Sequence, residues 1–207
     1  MTEDRQQPPL AAVGRSAVRL DGVAKATGSF GYGADLRLPG MLWGKIRRAE
    51  VPHALIRRVD VSAALEVPGV RAVLTGADVA GMRAGRFVRD EPILAHERVR
   101  YAGEPVAAVA ADTPEAAEEA ARRIVVEYEE LPVITDPEQA LREESPVLHP
   151  EWEQYWAAPV LRRSARVANH VTLTRGDVAS AFARADLVVE DCYRTQYVHQ
   201  ASLEGRV

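Results

Sequence analysis

The spacing of apolar and polar positions divides the chain into short strands and a few helices. Residues 41–48 alternate Leu42, Gly44 and Ile46 against Trp43, Lys45 and Arg47, a period of two that predicts a strand with one face covered. Residues 56–61 read as a second strand. Ser62 is placed to cap a short helix over 63–67, which Pro68-Gly69 stops, and alternation returns over 70–74 as a third strand. Residues 81–89 read as loop. Strands are expected over 99–101 and 106–110, flanking Gly103-Glu104-Pro105, where glycine permits a sharp turn and proline ends pairing. The second of these is apolar throughout, as a buried strand would be. Asp112-Thr113-Pro114-Glu115 combines a capping residue, a first-turn proline and an acid at the positive end of a helix dipole. It predicts a helix over 114–123. Its inner stripe is Ala116, Ala117, Ala120, Ala121 and Ile124, small enough to let the helix approach a sheet closely. A strand over 125–131 follows, and Asp136-Pro137 repeats the cap-and-proline signal for a short helix ending near Leu141.

These elements organise the chain. Residues 1–12 are expected to be a disordered lead-in, and 13–135 one compact α+β unit. Residues 136–169 read as a linker, since the stretch holding Pro146, Pro150, Trp152, Trp156 and Pro159 has no usable periodicity. Residues 170–207 form an incomplete second unit. There 170–174 alternates as a strand, Asp177 caps a helix carrying Val178, Ala181, Phe182 and Ala185, and 187–198 reads as a long strand. Three elements in so few residues cannot bury both faces of a sheet alone.

The composition of the 207 residues, 47% hydrophobic and 27% charged, is that of a globular chain and excludes disorder and collagen. The one cysteine, Cys192, rules out an intramolecular disulfide, and within the predicted strand it reads as a small buried hydrophobe. No apolar run approaches the roughly 20 residues that cross a bilayer, so no membrane span is expected. The polar N-terminal sequence lacks the apolar core of a secretory signal, which makes the cytoplasm the expected compartment. A net charge of -4 argues against nucleic acid as a general partner. The charge is uneven, with ten basic and five acidic groups over 1–58, nine and twenty over 59–160, and seven and five over 161–207. Solvated faces of an arginine-rich chain account for it.

Motifs tested for self-sufficient chemistry fail on spacing. Gly40 to Lys45 has three residues between its glycines where a phosphate loop needs four, and Ile46 stands where a metal-binding hydroxyl belongs. Gly28, Gly31 and Gly33 are spaced in the reverse of the dinucleotide fingerprint and read as a turn or bulge. The five histidines, His53, His96, His149, His170 and His199, contain no pair with zinc-helix spacing. The neighbouring acids Glu118-Glu119, Glu129-Glu130 and Glu143-Glu144 diverge on helix or strand and do not make an acid/base dyad. No catalytic, cofactor-binding or metal-ligating residue is assigned.

Several segments in fixed order carry more information than any of them alone. They run Arg19-Leu20-Asp21-Gly22, Lys25-Ala26-Thr27-Gly28, Asp35-Leu36-Arg37-Leu38-Pro39-Gly40, Pro52-His53-Ala54, Pro68-Gly69-Val70, Val99-Arg100-Tyr101-Ala102-Gly103-Glu104-Pro105-Val106-Ala107 and Glu127-Tyr128-Glu129-Glu130-Leu131-Pro132. Gly176-Asp177-Val178, Ala181-Phe182, Ala185-Asp186 and 199–206 continue the series. Over nearly its whole length the chain thus resembles the N-terminal part of the large, molybdopterin-binding subunit of the xanthine dehydrogenase and aldehyde oxidase family. The resemblance implies an α+β fold, an α/β-hammerhead domain followed by the truncated start of a molybdopterin-binding domain. It implies an oxidoreductase hydroxylating an aldehyde, a purine-like or another aromatic heterocyclic substrate. The cofactors implied are molybdenum-molybdopterin in the complete subunit, with iron-sulfur clusters and FAD in partner subunits or domains. Implied partners are the downstream molybdopterin-binding polypeptide, the iron-sulfur subunit and the FAD subunit, in an oligomer when complete. The family's cofactor loops and catalytic glutamate lie beyond Val207, so the isolated chain is expected to lack cofactors and activity. Gly103, Glu104, His199 and Glu204 match family-signature positions, for which a structural role is expected. Two departures stand out: Glu50-Val51-Pro52-His53 replaces the commoner Ser-Pro-His, and Leu203-Glu204-Gly205 stands where Leu-Glu-Pro is usual. The alternative reading is a non-catalytic interaction or scaffold module with the same fold.

Overall fold

The computed structural model describes residues 16–199. They fall into two compact units, Gly40–Glu190 and a second formed by the segments before and after it in sequence. The helices are α1 (Gly22–Thr27), α2 (Ser62–Leu65), α3 (Pro114–Arg123), α4 (Pro137–Ala140) and α5 (Val178–Ala183). The strands are β1 (Trp43–Arg48), β2 (Ala54–Asp60), β3 (Val70–Thr75), β4 (Arg83–Ala84), β5 (Glu91–Pro92), β6 (Arg98–Val99), β7 (Pro105–Ala111) and β8 (Val125–Glu130).

Two antiparallel three-stranded sheets build the Gly40–Glu190 unit, ordered β1-β7-β3 and β6-β2-β8. The apolar run of β7 takes the centre of the first sheet, where both its edges are paired and Val106, Ala107, Val109 and Ala111 are buried. Helix α3 covers that sheet. Its alanine stripe allows the close approach expected of it: Ala117, Ala120, Ala121 and Ile124 are buried, with Ala107 and Val109 in the same cluster. The Thr113 hydroxyl accepts from the Ala116 amide at 3.2 Å, and Pro114 needs no hydrogen-bond partner at the first turn. A second buried cluster joins Ala49, Ala95, Val99 and Val106. Val59 of β2 and Val126 of β8 pack against both clusters, so the sheets share a continuous core.

Several local expectations are corrected. Ser62 is the first residue of α2 and does not cap it; the Asp60 carboxylate accepts from the Ser62 amide at 3.0 Å. Pro105 opens β7 opposite Arg48 where it was expected to end pairing, and its carbonyl accepts from the Ala95 amide at 2.7 Å. Proline lacks a donor but keeps its acceptor, which suits the first position of a strand. The expected loop 81–89 contains β4, which pairs with β5. Residues 170–174 and 187–198 form no strand, although both alternate correctly. Period two selects a face only when a neighbouring strand supplies the ladder, and here none of the described residues does. Val171, Leu173, Val189 and Tyr197 are consequently exposed, and so is Cys192, which is not the buried hydrophobe expected.

Candidate functional site

Gly103 and Glu104 form a turn that leads into β7 beside the end of β1. Gly103 has φ +89°, in the left-handed region that a side chain disfavours. Its amide donates to the Ala49 carbonyl at 2.8 Å, and the Ala49 amide donates to the Glu104 carbonyl at 2.9 Å. Arg48 Nη1 donates to the Gly103 carbonyl at 2.9 Å. The Glu104 side chain turns inward, 2% exposed, and Oε2 accepts from the Arg100 amide at 2.6 Å. Burial raises its pKa above the usual carboxylate value, and the Arg100 amide and guanidinium offset only part of that.

Arg100 links this turn to the segment after α4. Its Nη1 lies 4.0 Å from Glu104 Oε1, while Nη2 pairs with Glu151 Oε1. The same carboxylate accepts from the Tyr155 hydroxyl at 2.7 Å and faces Arg83 Nη2 at 3.6 Å. Arg83 stacks over the Tyr155 ring, 4.6 Å from its centroid, and His149 Nδ1 meets the Tyr155 hydroxyl at 3.1 Å. For Glu151, burial opposes the charged form, but the Tyr155 hydroxyl and the two guanidiniums outweigh it and lower the pKa. Burial and the adjacent Glu151 push the Tyr155 hydroxyl up to about 12. His149 is lowered, by burial first and by Arg100 second. The assembly is an ion-pair cluster with a neutral histidine and phenol at its edge. Three residues that nothing in their local sequence marked, Arg83, Glu151 and Tyr155, come together here because distant segments fold onto the turn between β6 and β7. The excess of acids over bases in the middle of the chain gave no hint of which carboxylate would be enclosed.

The other sequence candidates lie apart. His53 is buried just before β2, whereas His96, His170 and His199 are exposed. His199 lies outside any helix or strand, and Glu204 lies outside the described residues. Glu118 pairs with Lys45 of β1 while Glu119 pairs with Arg122 and Arg123, so these neighbouring acids point apart. Gly28 terminates α1 with φ +74° and cradles no helix N-terminus. Among the described residues no three His, Cys, Asp or Glu side chains converge as metal ligands, and none of their helices is long and apolar enough to cross a membrane. This donor set does not fit a metal centre, and no chemical step is assigned through one.

Comparison with known proteins places this architecture. Residues 27–132 match the family model described as aldehyde oxidase and xanthine dehydrogenase, a/b hammerhead domain. A probable xanthine dehydrogenase subunit of Bacillus subtilis (strain 168) is 41% identical over 179 residues, 86% of this chain and 22% of that protein. The nicotinate dehydrogenase large molybdopterin subunit of Eubacterium barkeri is 37% identical over 193 residues, 93% of this chain and 42% of its own. The structure of reconstituted CO dehydrogenase from Oligotropha carboxidovorans superposes with a TM-score of 0.61 at 34% identity, covering 67% of this chain and 18% of the other. The chain therefore spans less than half the length of these relatives. With half of its residues matched by one model, and with the two sheets and helix in place, the chain belongs to the aldehyde oxidase and xanthine dehydrogenase family and carries the a/b hammerhead domain of that family.

Proposed function

We propose that this chain is the N-terminal hammerhead portion of a molybdenum hydroxylase large subunit and is inactive alone. The observation that supports this most directly is the asymmetry of the matches: relatives named as molybdopterin or xanthine dehydrogenase subunits align with 86% and 93% of this chain but extend far beyond it. The complete enzyme is an oxidoreductase acting on an aldehyde, a purine-like or another aromatic heterocyclic substrate. A molybdenum-molybdopterin centre, held by the rest of the complete subunit, would supply oxygen-insertion and redox chemistry, with iron-sulfur and FAD partners as electron acceptors. The residues of this chain provide the frame. Gly103 and Glu104 brace the turn between β6 and β7 against β1.

Reconstitution tests the proposal. The chain is purified alone, and again after co-expression with a downstream molybdopterin-binding polypeptide and the iron-sulfur and flavin partners of a relative. Substrate-dependent dye reduction is expected only from the assembled complex. Dye reduction by the chain alone, or none from an assembled complex shown by metal analysis to be loaded, overturns the assignment.

A further inference from the structure

Next to the Arg100 cluster, one guanidinium lacks a counter-ion. Arg98 of β6 donates from Nη1 to His53 Nε2 at 3.3 Å, and among the described residues no carboxylate forms an ion pair with it. The other ring nitrogen, His53 Nδ1, lies 2.7 Å from the Pro132 carbonyl. A carbonyl only accepts, so Nδ1 carries the hydrogen; a guanidinium only donates, so Nε2 is the bare acceptor. His53 is 2% exposed, and both of its nitrogens are fixed by partners with one role each. It is a rigid seat that holds Arg98 in place.

Arg98 lines a cavity of about 560 Å³, within the usual range for small-molecule sites. The lining is more polar than apolar: Leu55, Val79, Met82 and Leu94 give it an apolar patch, and Arg83, Arg100, His96 and Gln154 line it with Arg98. The two carboxylates on its lining are Glu151 and Glu97. Glu151 is already engaged by Arg100, Tyr155 and Arg83, and Glu97 is exposed to solvent. Glu104 takes up a further share of Arg100. Arg83 and Arg100 thus have carboxylate partners, whereas Arg98, among the described residues, is the guanidinium of this lining with no ion pair. A guanidinium fork matches a carboxylate in geometry, and a single unpaired charge suits a monoanion better than phosphate.

We propose that this cavity binds a small monocarboxylate with a compact apolar body, recognised by Arg98, with His53 positioning the guanidinium. Every residue the site uses belongs to the Gly40–Glu190 unit.

The test is calorimetric titration of the full chain with benzoate, with benzamide as the uncharged analogue of the same shape and inorganic phosphate as an anion without the apolar body. Saturable binding of benzoate is expected, with benzamide and phosphate much weaker. Arg98→Gln removes the charge-assisted hydrogen bonds and is expected to weaken benzoate roughly tenfold to a hundredfold. Ala80→Trp, at an exposed position on the lining, fills the cavity with an indole and is expected to abolish binding while preserving the circular dichroism spectrum and melting temperature. If Arg98→Gln fails to fold, Ala80→Trp decides. Absence of saturable benzoate binding, equal binding of benzamide or phosphate, or unchanged affinity in either folded variant overturns the proposal.

Discussion

The Arg100 amide donates to the Glu104 carboxylate, and that side chain is enclosed in the fold. Replacing Glu104 with alanine takes the acceptor away, so Glu104→Ala is expected to lose about 1–3 kcal/mol beyond its packing loss. Glu104→Gln keeps an acceptor and removes a desolvated charge, so it should lose much less in denaturant unfolding. Both variants lack the titrating carboxyl, so each also departs from wild type with pH. Because burial raises the Glu104 pKa, the folded chain holds more protons than the unfolded one between the ordinary carboxylate value and the raised one. Stability contributed by this group therefore falls as pH rises through that window, and Glu104→Gln should gain relative to wild type across the same interval. His149 has the opposite sign. Its lowered pKa makes its contribution complete above the ordinary histidine value and lost as pH falls toward the folded value. His149→Asn is expected to flatten the unfolding profile below about pH 6.5, where free histidine titrates.

At the level of elements, α3 and its sheet were the most legible part of the chain. Thr113, Pro114 and the alanine stripe encode start, direction and buried face within a few residues, and the structure uses all three. Thr113→Ala should cost about 1 kcal/mol of stability in a melting experiment, the value of one capping bond. Gly76 carried no signal, yet it is fixed by a close approach: a Cβ there would stand 2.3 Å from the Ala95 carbonyl oxygen. The turn after β3 passes directly against the residues that lead into β6. Gly76→Ala is expected to destabilise by about 1–3 kcal/mol through overpacking, whereas Gly44→Ala, in open space on β1, should be nearly neutral by the same measurement. Short elements were less legible. The two-residue pairing of β4 with β5 has no periodicity to detect, and the start of α2 is held by Asp60, two residues before the serine that the pattern favours.

For the molecule as a whole, the apolar residues after 170 have no cover among the described residues. Leu173 is 92% exposed and Tyr197 94%, with Phe182, Leu187 and Val189 also open. Such a stretch favours association. The purified chain is expected to bind an apolar dye and to self-associate in light scattering, and assembly with the polypeptide proposed to follow it should suppress both. The sequence by itself determined what is local: the alternating strands of the Gly40–Glu190 unit, the capped α3, the order of motifs that marks the family, and the failure of every short catalytic motif on spacing. These signals are carried by neighbouring residues through backbone dihedrals, side-chain period and turn chemistry. Only the tertiary structure decided which alternating segments become strands, because ladder hydrogen bonds come from partners elsewhere in the chain. It alone joined Arg83, Arg100, Glu104, His149, Glu151 and Tyr155 into one cluster, and left Arg98 seated on His53 with no ion pair among the described residues. Charge compensation is a property of distance in space, and residues 45 positions apart in sequence, as His53 and Arg98 are, give no sign of it until the backbone brings them together.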